Sequence, residues 1–567
     1  MVQKQELWFD VVVIGGGGAA LRAALSACEN GSSVALVSKG ETGRSGATYH
    51  SVAEVGAFNV PDGAMDSTDS PEAFYQDMED AALGTARLPL CELLARQAED
   101  ALWYLEEISG GQVFSKADGK FRVYQACFSQ KPRSHVVENH FKPVLRALRQ
   151  EIQKRGITVL NGFQAVELLL ADGEVGGVLV LDESGEEVVM HAKSVVLAAG
   201  GASRLFRQNM YPADITGDGY AMAYRAGAQL SNLEFIQAGI GTAYPFINLF
   251  GNYLWKAYPV IQNVKGERIL RAWGESAERR AIEEKTHFPF STRDASKRIE
   301  IAVQTEINQG HGTEHGNMLL CFPETDFQAL FQADPVFEDM WKITYQWHKE
   351  KGINLYRQPM EIACFAHAIN GGVLINEQGA SSVPGLYAAG ETAAGPHGAD
   401  RLGGNMSVTC QVFGKIAGQF GSERAKAMKA FPQIEAAETR AKEQLRAYMT
   451  GYAANWDDLL DALQRESDRA LLIVREEKGL LDYQSFLRKL HQEIERGCTP
   501  AAAKQWLQVR NLAETGEMIA AAALERRESR GSHYRADYPN MDPKLGKMLL
   551  IQKAGEREIS CHWAASH

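Results

Sequence analysis

The first chemistry in the chain is carried by a turn. Gly15-Gly16-Gly17-Gly18-Ala19-Ala20 follows a short apolar run, 8–14, and opens a helical run that ends near Gly31. Strand, Gly-rich turn and helix in this order form the arrangement that cradles a dinucleotide pyrophosphate. Gly15 permits the tight turn, Gly17 lets phosphates approach the backbone, and small Ala20 lets helix and strand pack closely. The helix N-terminus then offers free N–H groups to negative charge. The competing reading is a Gly-rich turn in an unrelated α/β protein. The second strand, 32–38, ends at Ser38-Lys39, where a nicotinamide-binding domain carries an acid for the ribose. This departure weakens an NAD reading more than an FAD reading, because FAD makes many other contacts.

The elements that must position this turn extend over most of the chain. Its 567 residues suit three to four domains at roughly 150 residues each. The net charge of −12 argues against nucleic acid and against an anionic membrane surface as partners. Eight cysteines occur with no C-x-x-C pair, so neither a zinc ribbon nor a cysteine-ligated iron–sulfur cluster is expected, and no metal site is assigned. At this density they read as reduced thiols of a cytoplasmic protein. No apolar signal segment opens the chain, and no run of about 18 apolar residues crosses it, so no direct membrane insertion is expected. Helices are predicted over 71–110 and 140–156, a hairpin over 165–187, a buried strand from 194, and a helix from 216. The pattern loosens over 236–345, and regular α/β patterning returns near 371–391. A charged helical block fills 431–530. The nucleotide fold thus starts near residue 11 and is completed only near 400. The expected class is α/β, with a split Rossmann-like domain (1–235 and 346–430), an inserted α+β capping domain (236–345) and a C-terminal helical domain with a tail (431–567).

Across nearly its whole length the sequence resembles the flavoprotein subunit family of succinate dehydrogenase and fumarate reductase, which includes L-aspartate oxidase. The resemblance rests on VVVIGGGGAALRAA, SKGETGRSG, VVLAAGGASRLF, TGDGYAMAYRAGA, EFIQ, STRDASKR, GLYAAGETAAGPHGADRLGGN and ERRESRGSHYRADYP, which occur in this order. It implies FAD as cofactor, lined by Gly15, Gly17, Gly18, Ala19, Ser38, Lys39, Ser45, Gly46, Ala199, Gly200, Asp218, Glu391, Arg401, Gly404, Asn405 and Ser407. Glu391 follows a buried strand and suits ribose hydroxyls. Gly403-Gly404 opens a helix whose dipole suits negative charge on the flavin. Asp218 also reads as a helix N-terminal acid. Many family members attach FAD to a His after the Ser of T-R-S-H; here Gly46 follows Ser45, so a non-covalent FAD is expected.

The resemblance also implies a reaction, in which a hydride moves between flavin N5 and a substrate carbon. Arg293 in STRDASKR is expected to handle the proton. His367 in HAINGGVLIN and Arg401 in HGADRLGGN are expected to clamp a carboxylate. Taken alone, Arg293 reads as a helix-start salt bridge and His367 as a core histidine. The departures matter as much. The family's substrate-binding His becomes Gly239 in EFIQAGIG, and its R-G-E-G-G relay aligns with Trp255-Lys256-Ala257-Tyr258-Pro259. One half of a dicarboxylate site is missing, so neither fumarate nor succinate is the first choice of substrate. Tyr253, Trp255 and Tyr258 read either as an aromatic wall for the substrate or as lid core. The C-terminal block resembles members that work in complexes. The expected partner is an iron–sulfur or other electron-transfer subunit, with a soluble carrier, a quinone or oxygen as the other electron routes. Any membrane contact is then peripheral, through that partner. The leading expectation is an FAD oxidoreductase acting on CH–CH bonds of a small carboxylate. Three other readings remain: aspartate-oxidase-like amine oxidation or a rebuilt fumarate reductase, an electron-relay subunit without a substrate, and an NAD-linked dehydrogenase.

Overall fold

The computed structural model describes residues 6–50, 56–249, 251–555 and 558–566. Its central sheet begins with β1 (Glu6–Ile14), whose Val11, Val12 and Val13 are fully buried. The chain turns through Gly15 into α1 (Gly18–Glu29), then forms β2 (Val34–Ser38). Gly15 has φ +135°, and a Cβ there would lie 2.1 Å from the Ala198 carbonyl oxygen. The neighbouring strand therefore leaves room only for glycine. Helix α2 (Pro71–Ala82) follows. The sheet then takes β3 (Thr158–Asn161), β4 (Gln164–Ala171), β5 (Glu174–Leu181) and β6 (Glu187–Leu197). Their order is β3-β2-β1-β6-β5-β4. β1 pairs in parallel with β2 and β6, while β6, β5 and β4 form an antiparallel meander. Parallel strands covered on both faces are uniformly apolar, which is why 11–14 reads as an unbroken hydrophobic run.

The inserted segment has its own sheet. β7 (Ile236–Tyr244) pairs antiparallel with β8 (Met360–Ile369), and three short strands complete five. The inserted unit therefore does not end at the expected residue 345. That position lies inside the helix Pro335–Glu350, and the unit's longest strand comes afterwards. The run MEIACFAHAI shows no inside–outside alternation because both faces of β8 are covered, so periodicity could not mark it. The chain returns to the first sheet as β9 (Leu386–Ala388), parallel to β6, and enters α3 (Asn405–Ala427), which packs along α1. These two contacts join the halves of the split domain.

Four helices, Glu435–Ala447, Trp456–Leu471, Glu477–Glu495 and Ala503–Glu525, make the C-terminal block. The tail is not helical. Met548–Lys553 and Ile559–Ala564 form a hairpin that pairs with Leu230–Ser231 of the first domain. Arg526 binds it in place: fully buried, it donates to Glu234 at 2.6 Å, to Glu528 at 2.9 Å and to the Leu545 and Lys547 carbonyls. Glu234 precedes β7 by two residues, so the C-terminal block fixes the root of the insertion.

Candidate active site

A cleft of about 1250 Å³ opens where β1, β2 and β6 end. Most of the residues predicted for FAD line it: Gly15, Gly17, Gly18 and Ala19 from the first turn, Ser38 and Lys39 after β2, and Ser45 and Gly46 in the next loop. Ala199, Gly200, Asp218, Glu391 and Ser407 complete this set. Three predicted residues do not line it. Asn405 accepts from Asn59 Nδ2 at 2.6 Å, Gly404 is pressed against Asn59 and Ala57, and Arg401 faces the insertion. Sequence reasoning missed Thr48, Tyr211, Asp214, Cys410 and Gln411. Thr48 Oγ1 accepts the Gly18 N–H at 3.3 Å, and Asp214 accepts the Gly46 N–H at 2.9 Å. These residues lie outside any glycine pattern. The only sequence signal was the closeness of Thr48 to Ser45.

The cleft fits FAD. Helices α1 and α3 both bring their N-termini to it, neither has a side-chain cap, and neither has an acid in its first turn. Their N–H groups and dipoles are left for negative charge on a pyrophosphate and on a flavin. Apolar Val37, Phe163 and Ile215 supply walls for planar rings. Burial raises the Asp218 carboxyl, but Lys39 at 2.7 Å, Asn511 at 2.8 Å and Thr216 at 2.9 Å outweigh it and hold the group below the usual carboxylate range. Asp218 is thus an anchor for Lys39 at the rim of the cleft. Burial pushes the Glu391 carboxyl up to about 7, against the Ile369 N–H at 3.0 Å and the Arg401 charge.

The second half of the site lies against the insertion. The β7–β8 register shifts between Gln237 and Ala238, opposite Ala368 and Ala366, so His367 is the extra residue of a bulge. A bulge re-aims a side chain. His367 Nε2 lies 3.1 Å from the Tyr211 hydroxyl, and Tyr211 itself lines the cleft. Burial, then the Arg401 charge, push His367 down to about 3, so the ring is neutral at pH 7. Its Nδ1 is buried without a hydrogen-bond partner among the described residues. Arg401 is 6% exposed; its Nε donates to Gln237 Oε1 at 2.9 Å and its Nη1 to the Leu402 carbonyl at 3.1 Å. No carboxylate among the described residues lies within ion-pair distance of it. An arginine stays charged at neutral pH, so this is a buried cation that the Glu391 carboxyl stabilises only from beyond ion-pair distance.

Arg293 is placed differently. Its Nε donates to Asp400 Oδ2 at 2.7 Å, and its Nη2 to the Asp80 and Ala81 carbonyls at the end of α2. The structure therefore brings His367 and Arg401 together, and links Arg293 to them through Asp400, the residue before Arg401. Burial raises the Asp400 carboxyl although Arg293 and Ser291 stabilise its charge. Asp400 was not singled out in the sequence, because an acid beside an arginine reads as a local pair. The aromatic residues 253, 255 and 258 are lid core and surface. Trp255 is buried, the Tyr253 hydroxyl meets Thr344, and exposed Tyr258 bonds Glu283 at 3.2 Å.

Two family models match the chain: the FAD binding domain over residues 10–407 and the fumarate reductase flavoprotein C-terminal region over 461–563. The chain is 30% identical to a subunit of the fumarate reductase (CoM/CoB) of Methanothermobacter marburgensis, covering 97% of this chain and 98% of that one. It is 28% identical to L-aspartate oxidase of Pseudomonas aeruginosa, over 97% and 99%. Among solved structures it resembles Sdh1 of Mycobacterium smegmatis in complex with UQ1, with TM-score 0.85, 28% identity and coverage of 99% and 94%.

The Glu391 carboxyl gives a pH prediction. Its pKa is raised from 4.5 to about 7 in the folded state, so its contribution is fully present below about pH 4.5 and lost as pH rises through 7. For the FAD-free protein the loss is of the order of 3 kcal/mol. Glu391→Gln should flatten the decline of the thermal midpoint between pH 5 and 8. An unchanged slope would mean that Glu391 ionises freely.

Proposed function

This chain belongs to the flavoprotein subunit family of succinate dehydrogenase and fumarate reductase, which includes L-aspartate oxidase; it is an FAD-dependent oxidoreductase, and we propose that it acts on a CH–CH bond of a small carboxylate. The reading is enoate reduction or the reverse dehydrogenation. The observation that carries it is the buried Arg401 with no carboxylate of its own, beside a neutral His367. When bound, FAD supplies N5 as the hydride donor or acceptor. The residues do the rest. Arg401 takes one carboxylate in its planar fork, and neutral His367 adds a hydrogen bond whose polarity Tyr211 sets. Arg293 keeps one amino group, Nη1, without a hydrogen bond among the described residues. That group serves as proton donor or acceptor at the carbon next to the one that exchanges hydride. Residues 255–259 offer no recognisable relay; Asp400, which accepts from Arg293 Nε, holds the guanidinium in place and stabilises its charge.

The cofactor is held without a covalent bond: Gly46 occupies the linking position, and exposed His50 lies outside the cleft. No helix among the described residues is long and apolar enough to cross a membrane. The electron route is proposed to be a partner subunit carrying iron–sulfur clusters or another electron-transfer group. All eight cysteines here are free. Burial raises the thiols of Cys91, Cys364 and Cys410, which suits apolar packing rather than ligation of a cluster.

Three outcomes are expected. Acid precipitation should leave yellow flavin in the supernatant; flavin retained on a peptide by mass would overturn non-covalent binding. Arg401→Lys keeps charge but loses the fork, and should lower kcat/KM by about tenfold or more with FAD content unchanged. Loss of FAD instead would place Arg401 in the cofactor site. Arg293→Ala should cost roughly 10²–10⁴-fold in rate and stop solvent-deuterium incorporation at the substrate carbon. Near-wild-type turnover would reduce Arg293 to its ion pair with Asp400.

A further inference from the structure

A phenyl ring, Phe288, packs beside His367 of this site. A Cβ placed on Gly239 of β7 would lie 2.7 Å from Phe288 Cε2, 2.8 Å from its Cζ and 2.8 Å from its carbonyl oxygen. The loop before Arg293 thus rests directly on the strand, and no side chain at 239 shares that space. Phe288 itself is only partly buried. Its ring stands edge-on to His367, with centroids 5.8 Å apart and planes at 78°. Behind it lies a small apolar cluster separate from the main core, made of Met210, Ala363 and Phe365 with Leu249. Phe128 adds a second ring nearby, tilted on His287 at 4.9 Å and under the Arg293 guanidinium at 5.5 Å.

The charges on this side are already matched. Arg293 is paired with Asp400, and Lys285 of the same loop is buried against Glu300. Arg401 has no carboxylate within ion-pair distance among the described residues; Glu391 acts on it from further away. The site therefore combines one cation without an ion-pair partner among the described residues, Arg401, with an aromatic edge that has apolar backing, Phe288. A second carboxylate placed against Phe288 would lose its water and gain no cation, which is costly. A ring or a branched apolar group there gains buried area and edge-to-face contact.

We propose that Phe288 is the specificity-determining residue of this site, and that the substrate is a monocarboxylate bearing an apolar, ring-sized group at the end away from Arg401. This rests on the functional reading above, in which Arg401 holds the carboxylate.

The test is titration of the FAD-loaded protein with trans-cinnamate, crotonate and fumarate, read as perturbation of the flavin absorption spectrum. Cinnamate is expected to bind at least tenfold more tightly than fumarate. Phe288→Ala should weaken cinnamate about tenfold while changing crotonate less than threefold, and Phe288→Tyr should retain cinnamate binding. FAD content, measured for each variant, separates a local effect from a failure to fold. Fumarate binding more tightly than cinnamate would overturn the inference and leave the functional reading standing. So would equal loss of cinnamate and crotonate in Phe288→Ala. If none of the three perturbs the flavin, the assignment of Arg401 to a substrate carboxylate fails, and the inference falls with it.

Discussion

The buried charge of Arg401 is the constraint around which the site is organised. Removing a guanidinium from water without a counter-ion costs several kcal/mol. Its hydrogen bonds are to neutral dipoles: Gln237 Oε1 and the Leu402 carbonyl accept from it, and the Gln237 amide returns a bond to the Arg401 carbonyl at 3.3 Å, while the Glu391 carboxyl stabilises its charge from further away. The cost spreads to its neighbours. Burial, reinforced by this cation, lowers His367 and also His397, whose two nitrogens are buried without hydrogen-bond partners among the described residues. Both imidazoles are uncharged, so positive charge is concentrated on one fork. Arg401 is held in place by Gln237 of β7.

Arg401 stands out in the sequence, and so does the turn at Gly15. Both sit where backbone geometry leaves few alternatives: a strand end that must pass under a neighbouring carbonyl, and a loop that must open a helix. Asp218 and Glu391 were legible for the same reason, since each follows an element whose end is marked by glycine. The residues that escaped have partners far away in sequence. Asp214 reaches Gly46 across 168 residues, and Arg293 reaches Asp400 across 107. Phe288 lies in a stretch whose aromatic and charged residues follow neither helical nor strand periodicity, so nothing marked it apart from its lid neighbours. The end of the insertion was hidden by β8, because a strand covered on both faces carries no alternation. The tail hairpin was hidden because its two strands are only six residues each and gain stability by pairing with Leu230–Ser231.

The departures from the resembling family are consistent with one another once their contacts are known. Gly239 is required by the approach of Phe288, whose ring and carbonyl leave no room for a side chain there. Trp255 and Ala257 are buried under the lid and make no relay. The acid next to Arg401 then supplies Arg293 with a carboxylate. Among the described residues Arg401 has no ion-pair partner, while Arg293 is paired with Asp400.

The junction between the insertion and the nucleotide-binding sheet also bears on how the reaction is aligned. Each of the two central strands of the insertion contributes one residue to it. Gln237 of β7 holds Arg401, and His367 of β8 meets Tyr211. Tyr211 is held in turn: its N–H donates to Asn209 Oδ1 at 3.1 Å, and Asn209 bridges to Ala366, the residue before His367. The bulge that turns His367 toward the cleft therefore also anchors the loop that carries Tyr211 along its wall. A shift of the insertion would move Arg401 and the wall of the cofactor cleft together. The β7–β8 register thus fixes Arg401 and the Tyr211 wall of the cleft relative to each other.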